Sequence, residues 1–275
     1  MTALSPRRTF SGTALKTIAC ITMLVDHIGA SCIEAGILTP GLDAGTLSQD
    51  ALSAYPLYRL DMVLRFTGRL AFPLFCFLLV EGFFHTRDLR RYVLRLLLLA
   101  LLSEIPFDLM YGGTWFYPVH QNVIWTLLLG ILGVHLMETV RKKQKTWLYL
   151  LVSALVVAAG AVLGTLGMVD YYGAGVLTVF IFYFFHGRKW WCLLGQLAAL
   201  YWVNVELLGG LMYPIQLFGM DFELCQQGLA LLALVPIWLY RGRQGYHSKP
   251  FQYACYAFYP VHMLILVLIL QYLTR

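Results

Sequence analysis

The chain has 275 residues, of which 60% are hydrophobic and 12% charged, with a mean hydropathy of +0.70. A soluble domain carries about 25% charged residues, so this chain lacks the polar coat of a water-soluble fold and belongs in a membrane. The formal net charge of +6 is distributed as a topology signal and not as a nucleic-acid footprint, so no nucleic-acid partner is expected.

A membrane-crossing helix needs about 20 mostly apolar residues. In chain order the candidates fall near 14–37, 66–85, 92–110, 121–140, 146–168, 171–186, 190–208, 224–240 and 251–273. The expectation is an all-α polytopic transmembrane bundle of about nine spans, with residues 1–275 forming a single integral-membrane domain, since no Pro/Gly/Ser-rich linker or charge block divides it. The first run follows Arg7 and Arg8 as a signal peptide would, but it is too long, contains Asp26 and His27, and has no A-x-A cleavage site. It reads as a retained span.

The basic residues alternate with the spans. One set of connections holds Arg7, Arg8, Lys16, Arg87, Arg90, Arg91, Arg95, Arg141, Lys142, Lys143, Lys145, Arg188, Lys189, Arg241, Arg243 and Lys249. The other keeps Arg59, Arg65, Arg69 and Arg275. Short cytoplasmic loops are enriched in Lys and Arg, so the N-terminus is expected in the cytoplasm and the C-terminus outside. Asp43, Asp50, Asp61, Asp170, Asp221 and Glu223 lean to the outer side. The outer segments 38–64 and 209–223 are long enough to cap a cavity. The six cysteines are scattered without a C-x-x-C pair and read as small buried hydrophobes.

Charges inside a bilayer are expensive and default to functional candidates. The first span, LKTIACITMLVDHIGA, places Asp26 and His27 side by side. Lys16 precedes His27 by eleven residues, close to three helical turns, so both share one face at a separation of roughly 16 Å along the axis. Ser31 and Glu34 extend the same stripe. Asp26 points about 100° round the helix and must pair with another helix or reach His27 through water. A lone histidine here would read as a satisfied core residue; beside Asp26 and in line with Lys16 it reads as functional. In HTRDLRRYVLR (85–95), Arg91 and Arg95 lie one turn apart, and the planar guanidinium fork suits phosphates.

Glu104 and Asp108 share a face of the third span, as do Arg65 and Arg69 at the start of the second, and the two pairs are expected to meet as ion pairs across helices. Asn122, Thr126, Gln196, Asn204, Glu206 and His262 are further inward candidates that singly read as interhelical hydrogen-bonding glue. The histidines at 85, 120, 135, 186, 247 and 262 meet no His or Cys at metal-ligand spacing, and no phosphate-binding loop is present. No metal is expected.

A basic cytoplasmic mouth, a deeper histidine and an acidic outer vestibule suit transfer of a group from a phosphate-bearing donor inside to an acceptor outside. Histidine can take a proton at neutral pH, as acyl transfer from a thioester requires. Five stretches in order, LKTIACITMLVDHIG, GRLAFPLFCFLLVEGFFHTRDLRRYVLRLL, LLSEIPFDL, NVIWTLLLG and FYPVHMLILVL, resemble the TraX family. The resemblance implies a membrane acetyltransferase of the bacterial cytoplasmic membrane; the founding member acetylates the N-terminus of conjugative pilin. It extends more distantly to the acyltransferase-three and heparan-glucosaminide acetyltransferase group, in which an arginine stands eleven residues before the first-span His. Lys16 has the matching place here.

The same resemblance implies acetyl-CoA as co-substrate, its phosphates on Lys16, Arg90, Arg91 and Arg95. His27 would be general base or acyl carrier, with Asp26 orienting a partner group. Glu34, Arg69, Glu104, Asp108 and Asn122 are the expected acceptor-side residues, the acceptor being a pilin-like peptide N-terminus or a glycan, with membrane lipid around the bundle. Two other classes fit the same composition: a lipid-linked saccharide transporter or flippase, and a non-catalytic membrane scaffold.

Overall fold

The computed structural model describes residues 9–48, 52–217, 219–246 and 248–273; the expectations placed on Arg7, Arg8, Asp50, His247 and Arg275 lie outside them. The fold is mostly helical. Helix α1 (Gly12–Ile28) begins where the Ser11 side chain accepts from the Ala14 N–H at 3.1 Å, an N-cap. It passes without a break into a π-helical stretch, Gly29–Leu38, and then into a short α2 (Thr39–Asp43).

The next arm is longer than its hydropathy suggests. Helix α3 (Pro56–Gly68) and helix α4 (Ala71–His85) meet at Arg69 and Leu70. Much of the connection expected over 38–64 is therefore helical. Pro56 stands in the first turn of α3, where a missing N–H costs nothing. Helix α5 (Leu89–Tyr111) starts at an Asp88 cap, and α6 (Val123–Arg141) starts at an Asn122 cap. Helices α7 (Thr146–Leu166), α8 (Tyr172–Phe184) and α9 (Trp190–Tyr201) come next, the last extended by π-helical Trp202–Leu207.

The expected outer cap at 209–223 is an antiparallel hairpin, β1 (Met212–Leu217) with β2 (Met220–Cys225), in register from Met212↔Cys225 to Leu217↔Met220. The span expected at 224–240 is a 3-10 turn (Gln227–Ala233) leading into α10 (Leu234–Trp238). The chain closes with α11 (Lys249–Leu273).

Among the described residues, five helical stretches are long and apolar enough to cross a membrane: Gly12–Asp43, Pro56–His85, Val123–Arg141, Thr146–Leu166 and Lys249–Leu273. Two shorter ones, Tyr172–Phe184 and Gln227–Trp238, are apolar as well. The molecule is thus a helical membrane protein. Helix α8 sits at its centre, packed on α4, α6, α7 and α9 and buried along nearly its whole length, as befits a helix apolar all round. By contrast, α7 exposes Trp147, Leu150, Leu155 and Leu166, and α11 exposes Tyr253, Val261 and Leu268. These faces suit hydrocarbon, where lipid replaces water as the solvent.

One end of the bundle gathers the basic connections. Gly12 donates to the Arg243 carbonyl, Glu81 of α4 meets His186 at 2.9 Å, and the Tyr183 hydroxyl of α8 donates to Glu138 of α6. Arg188 crosses this end to the carbonyls of Ile237, Trp238 and Tyr240, at 3.3, 3.1 and 2.7 Å, which stops α10 by satisfying its last acceptors.

Helices α7 and α8 touch through glycine. A Cβ on Gly173 would collide with the Ala161 carbonyl oxygen, and one on Gly164 would lie 2.9 Å from Gly173 Cα. Small residues let membrane helices approach closely. Gly173→Ala is expected to force the pair apart and cost about 1–3 kcal/mol, read as a lower unfolding temperature in detergent.

Candidate functional site

Asp26 and His27 lie in the last turn of α1, just before Gly29 opens the π-helical stretch, and the two side chains face different neighbours. Asp26 pairs with two arginines: its Oδ2 lies 2.7 Å from Arg65 Nη1 and its Oδ1 lies 2.6 Å from Arg69 Nη2. Arg65 Nε reaches Glu34 at 3.2 Å, and Arg69 Nη1 donates to Gln227 Oε1 at 3.1 Å. Gln227 in turn donates to Asn204 at 3.0 Å. A polar chain thus runs from the π-helical stretch after α1 through α3 to the π-helical end of α9.

Glycine makes the ion cluster possible. A Cβ on Gly68 would collide with Asp26 Oδ1, and one on Gly29 would lie 2.7 Å from Asp61 Oδ1. Only bare backbone at both positions lets α1 and α3 come close enough for this carboxylate to sit between two guanidinium groups.

His27, buried, points the other way, to α11. Its Nδ1 is 2.7 Å from Nε2 of His262, whose own Nδ1 is 2.6 Å from the Phe258 carbonyl. The two rings lie nearly parallel, with centroids 4.9 Å apart. Tyr111 and Tyr259 stand 6.3 and 6.4 Å away, ring to ring. Asp26 and His27 are neighbours in the chain yet serve separate networks.

A cavity of about 450 Å³ opens at the basic end between α1, α4, α5, α6 and α11. Lys16 and Arg95 line it, with Glu81 and His85 beside them and the apolar walls Phe75, Leu78, Leu79, Leu96, Leu99 and Leu127 beyond. Met23 and Tyr259 also line it. Met23 lies one turn before His27 on the same face, and the Tyr259 ring packs near the His27 ring, so the cavity and the histidine pair share a wall. Arg90 and Arg91 stand outside that lining; both are exposed, and Arg91 Nε pairs with Asp88 at 2.9 Å.

The remaining expected acceptor-side residues do not converge on His27. Glu104 Oε2 accepts from Trp125 Nε1 at 2.8 Å and from Asn122, whose amide also donates to the Ala100 carbonyl at 2.9 Å. This lock ties α5 to the start of α6. Asp108 Oδ2 accepts from the Tyr117 N–H at 3.0 Å. The ion pairs expected between Arg65/Arg69 and Glu104/Asp108 are therefore absent among the described residues. The arginines turn instead to Asp26 and Glu34, because the glycine contact brings α1 closer to them than α5. Thr126 and Gln196 donate to the Asp170 and Phe185 carbonyls, the glue role their types suggest; Asn204 donates to the Leu200 carbonyl of its own helix and accepts from Gln227.

From the sequence, His262 has no role beyond interhelical glue. Its signal is the spacing Tyr259-x-x-His262, which sets both rings on one face of α11, but nothing in the sequence points that face at His27.

The comparisons with known proteins decide the family. The family model described as "TraX protein" matches residues 11–270. The chain belongs to the TraX family. It is also similar to "Probable fimbrial assembly protein FimC, serogroup H1" of Dichelobacter nodosus, 29% identical over 269 residues and covering 94% of each chain. No solved structure matches. The family match runs from α1 to α11, the two helices that supply the histidine pair.

Two measurements probe this architecture. Breaking a buried ion pair from one side leaves uncompensated charge and costs about 3–5 kcal/mol. Asp26→Asn is therefore expected to lower the unfolding temperature in detergent sharply, and Gly68→Ala, which displaces the same carboxylate, to do likewise. The second concerns His120, in the loop between α5 and α6, 3.4 Å from Asp170. The hydrogen bond that His120 donates to the Asp170 carboxylate raises its pKa above the usual 6.5. Because the folded value is the higher one, this contact stabilises fully below 6.5 and fades as pH rises through the folded value. The stability gap between wild type and His120→Asn should narrow on going alkaline.

Proposed function

We propose that this TraX-family protein is a transmembrane acetyltransferase of a bacterial cytoplasmic membrane, moving an acetyl group from cytoplasmic acetyl-CoA to an amine or hydroxyl on the opposite side. The observation that carries the reading is the cavity with Lys16 and Arg95 among its lining residues and a wall shared with His27. Two cations at the basic end suit the phosphates of CoA, and the apolar walls suit a pantetheine arm. The alternation of basic and non-basic connections supports nine passes, with the basic end and the N-terminus cytoplasmic and the C-terminus outside.

In the reaction proposed, the acceptor's N–H or O–H bond breaks and its proton passes to His27. The N–C or O–C bond forms at the acetyl carbonyl, the C–S bond breaks, and the departing thiolate takes the proton back from the imidazolium. In a two-step variant the acetyl group rests on the imidazole between donor and acceptor. Asp26 contributes through α1: held by Arg65 and Arg69, it sets the rotation of the helix and so the place of His27. The relative bearing a fimbrial-assembly name supports a pilin-like N-terminal amine as acceptor, with a glycan as the other candidate.

The test is release of CoA thiol by purified protein given acetyl-CoA and either a peptide with a free N-terminus or an amino sugar. Acceptor-dependent release is expected, and His27→Ala should reduce it about 10²–10⁴-fold while CoA still binds. A protein that binds no CoA would point to transport instead.

A further inference from the structure

We propose that His262 is the positioning residue that holds His27 as its Nδ1–H tautomer and so leaves Nε2 as the atom that takes the proton or the acetyl group. The inference rests on the acetyl-transfer reading for its consequence but not for its geometry.

The hydrogen-bond chain has one direction. A backbone carbonyl only accepts, so at 2.6 Å from the Phe258 oxygen the Nδ1 of His262 carries the hydrogen. A neutral His262 then presents a lone pair at Nε2. The atom 2.7 Å from that lone pair, Nδ1 of His27, must supply the hydrogen. In a neutral His27 this leaves Nε2 unprotonated, and Nε2 takes no hydrogen bond from the described residues. Both side chains are buried, where an imidazole's partner decides its tautomer.

The chain also allows for the next state. When Nε2 of His27 receives a proton, the Nδ1 hydrogen can pass to Nε2 of His262, spreading the charge over two rings while the Phe258 carbonyl still holds the far end. The anchor is local: Phe258 and His262 are four residues apart on α11, so the helix itself supplies the carbonyl, whose second lone pair permits an additional donor.

Two substitutions separate positioning from packing. In His262→Gln the amide oxygen can accept from the His27 Nδ1–H as the ring nitrogen does; in His262→Leu nothing can. His262→Leu is expected to lower kcat for acetyl transfer about 10²–10⁴-fold with the KM for acetyl-CoA unchanged, and His262→Gln to recover about tenfold or more of that loss. Equal loss in both variants overturns the proposal. Independently, 15N spectra of histidine-labelled wild type, assigned by difference against His27→Ala, should show His27 protonated at Nδ1 and bare at Nε2; the reverse pattern overturns it. Were wild type to transfer no acetyl group to any acceptor, the reaction reading would fail while the nitrogen spectrum still decided the tautomer.

Discussion

A carboxylate on an apolar helix has to find charge of the opposite sign, and Asp26 finds it twice. Removing an ion from water costs several kcal/mol even after relaxation, so the arrangement persists only because each oxygen faces its own guanidinium, at 2.7 Å and 2.6 Å. That requirement draws α3 against α1 and fixes the rotation of α1 about its axis. With Asp26 turned to the arginines, the next residue is carried about 100° round, and His27 meets α11. The histidine pair is in this sense a consequence of the ion cluster.

Glycine is the steric condition for all of it. Gly29 and Gly68 hold the places where any side chain would strike Asp61 or Asp26, and Gly29 also opens the π-helical stretch. π-Helical turns are rare and cluster at functional sites. Here the stretch carries Ser31, whose hydroxyl donates to the His27 carbonyl at 2.6 Å, and Glu34, which pairs with Arg65. Beyond His27 the widened helix still packs on both α3 and α11.

Around this pair the bundle divides its labour. The central helix α8 and the glycine-packed α7 provide a rigid apolar body, with lipid-suited faces outside. The cavity lies between α1, α4, α5, α6 and α11 and carries its cations toward the basic end. Tyr259 belongs to both the cavity wall and the ring cluster at His27, so a molecule seated in the cavity would lie against a residue already in contact with the histidines. Family membership from residue 11 to 270 takes in every one of these parts.

By itself the sequence determined the solvent, the helical class and the family, and it singled out Asp26, His27, Lys16 and Arg95 as candidates, because hydropathy, charge rarity and local spacing are properties of the chain. Basic connections alternate with apolar runs along the chain. Short or mixed elements were not legible: α3 looked like a connection because Arg59, Asp61 and Arg65 dilute its apolar character, and the 3-10 turn with α10 looked like a full span because composition does not report pitch. Which charge meets which was decided only by tertiary structure. Arg65 and Arg69 could equally have met Glu104 and Asp108 on spacing alone, and His262 stands 235 positions from its partner. Long-range pairs depend on how closely backbones approach, and here that distance is set by glycines whose effect appears only once the helices are packed.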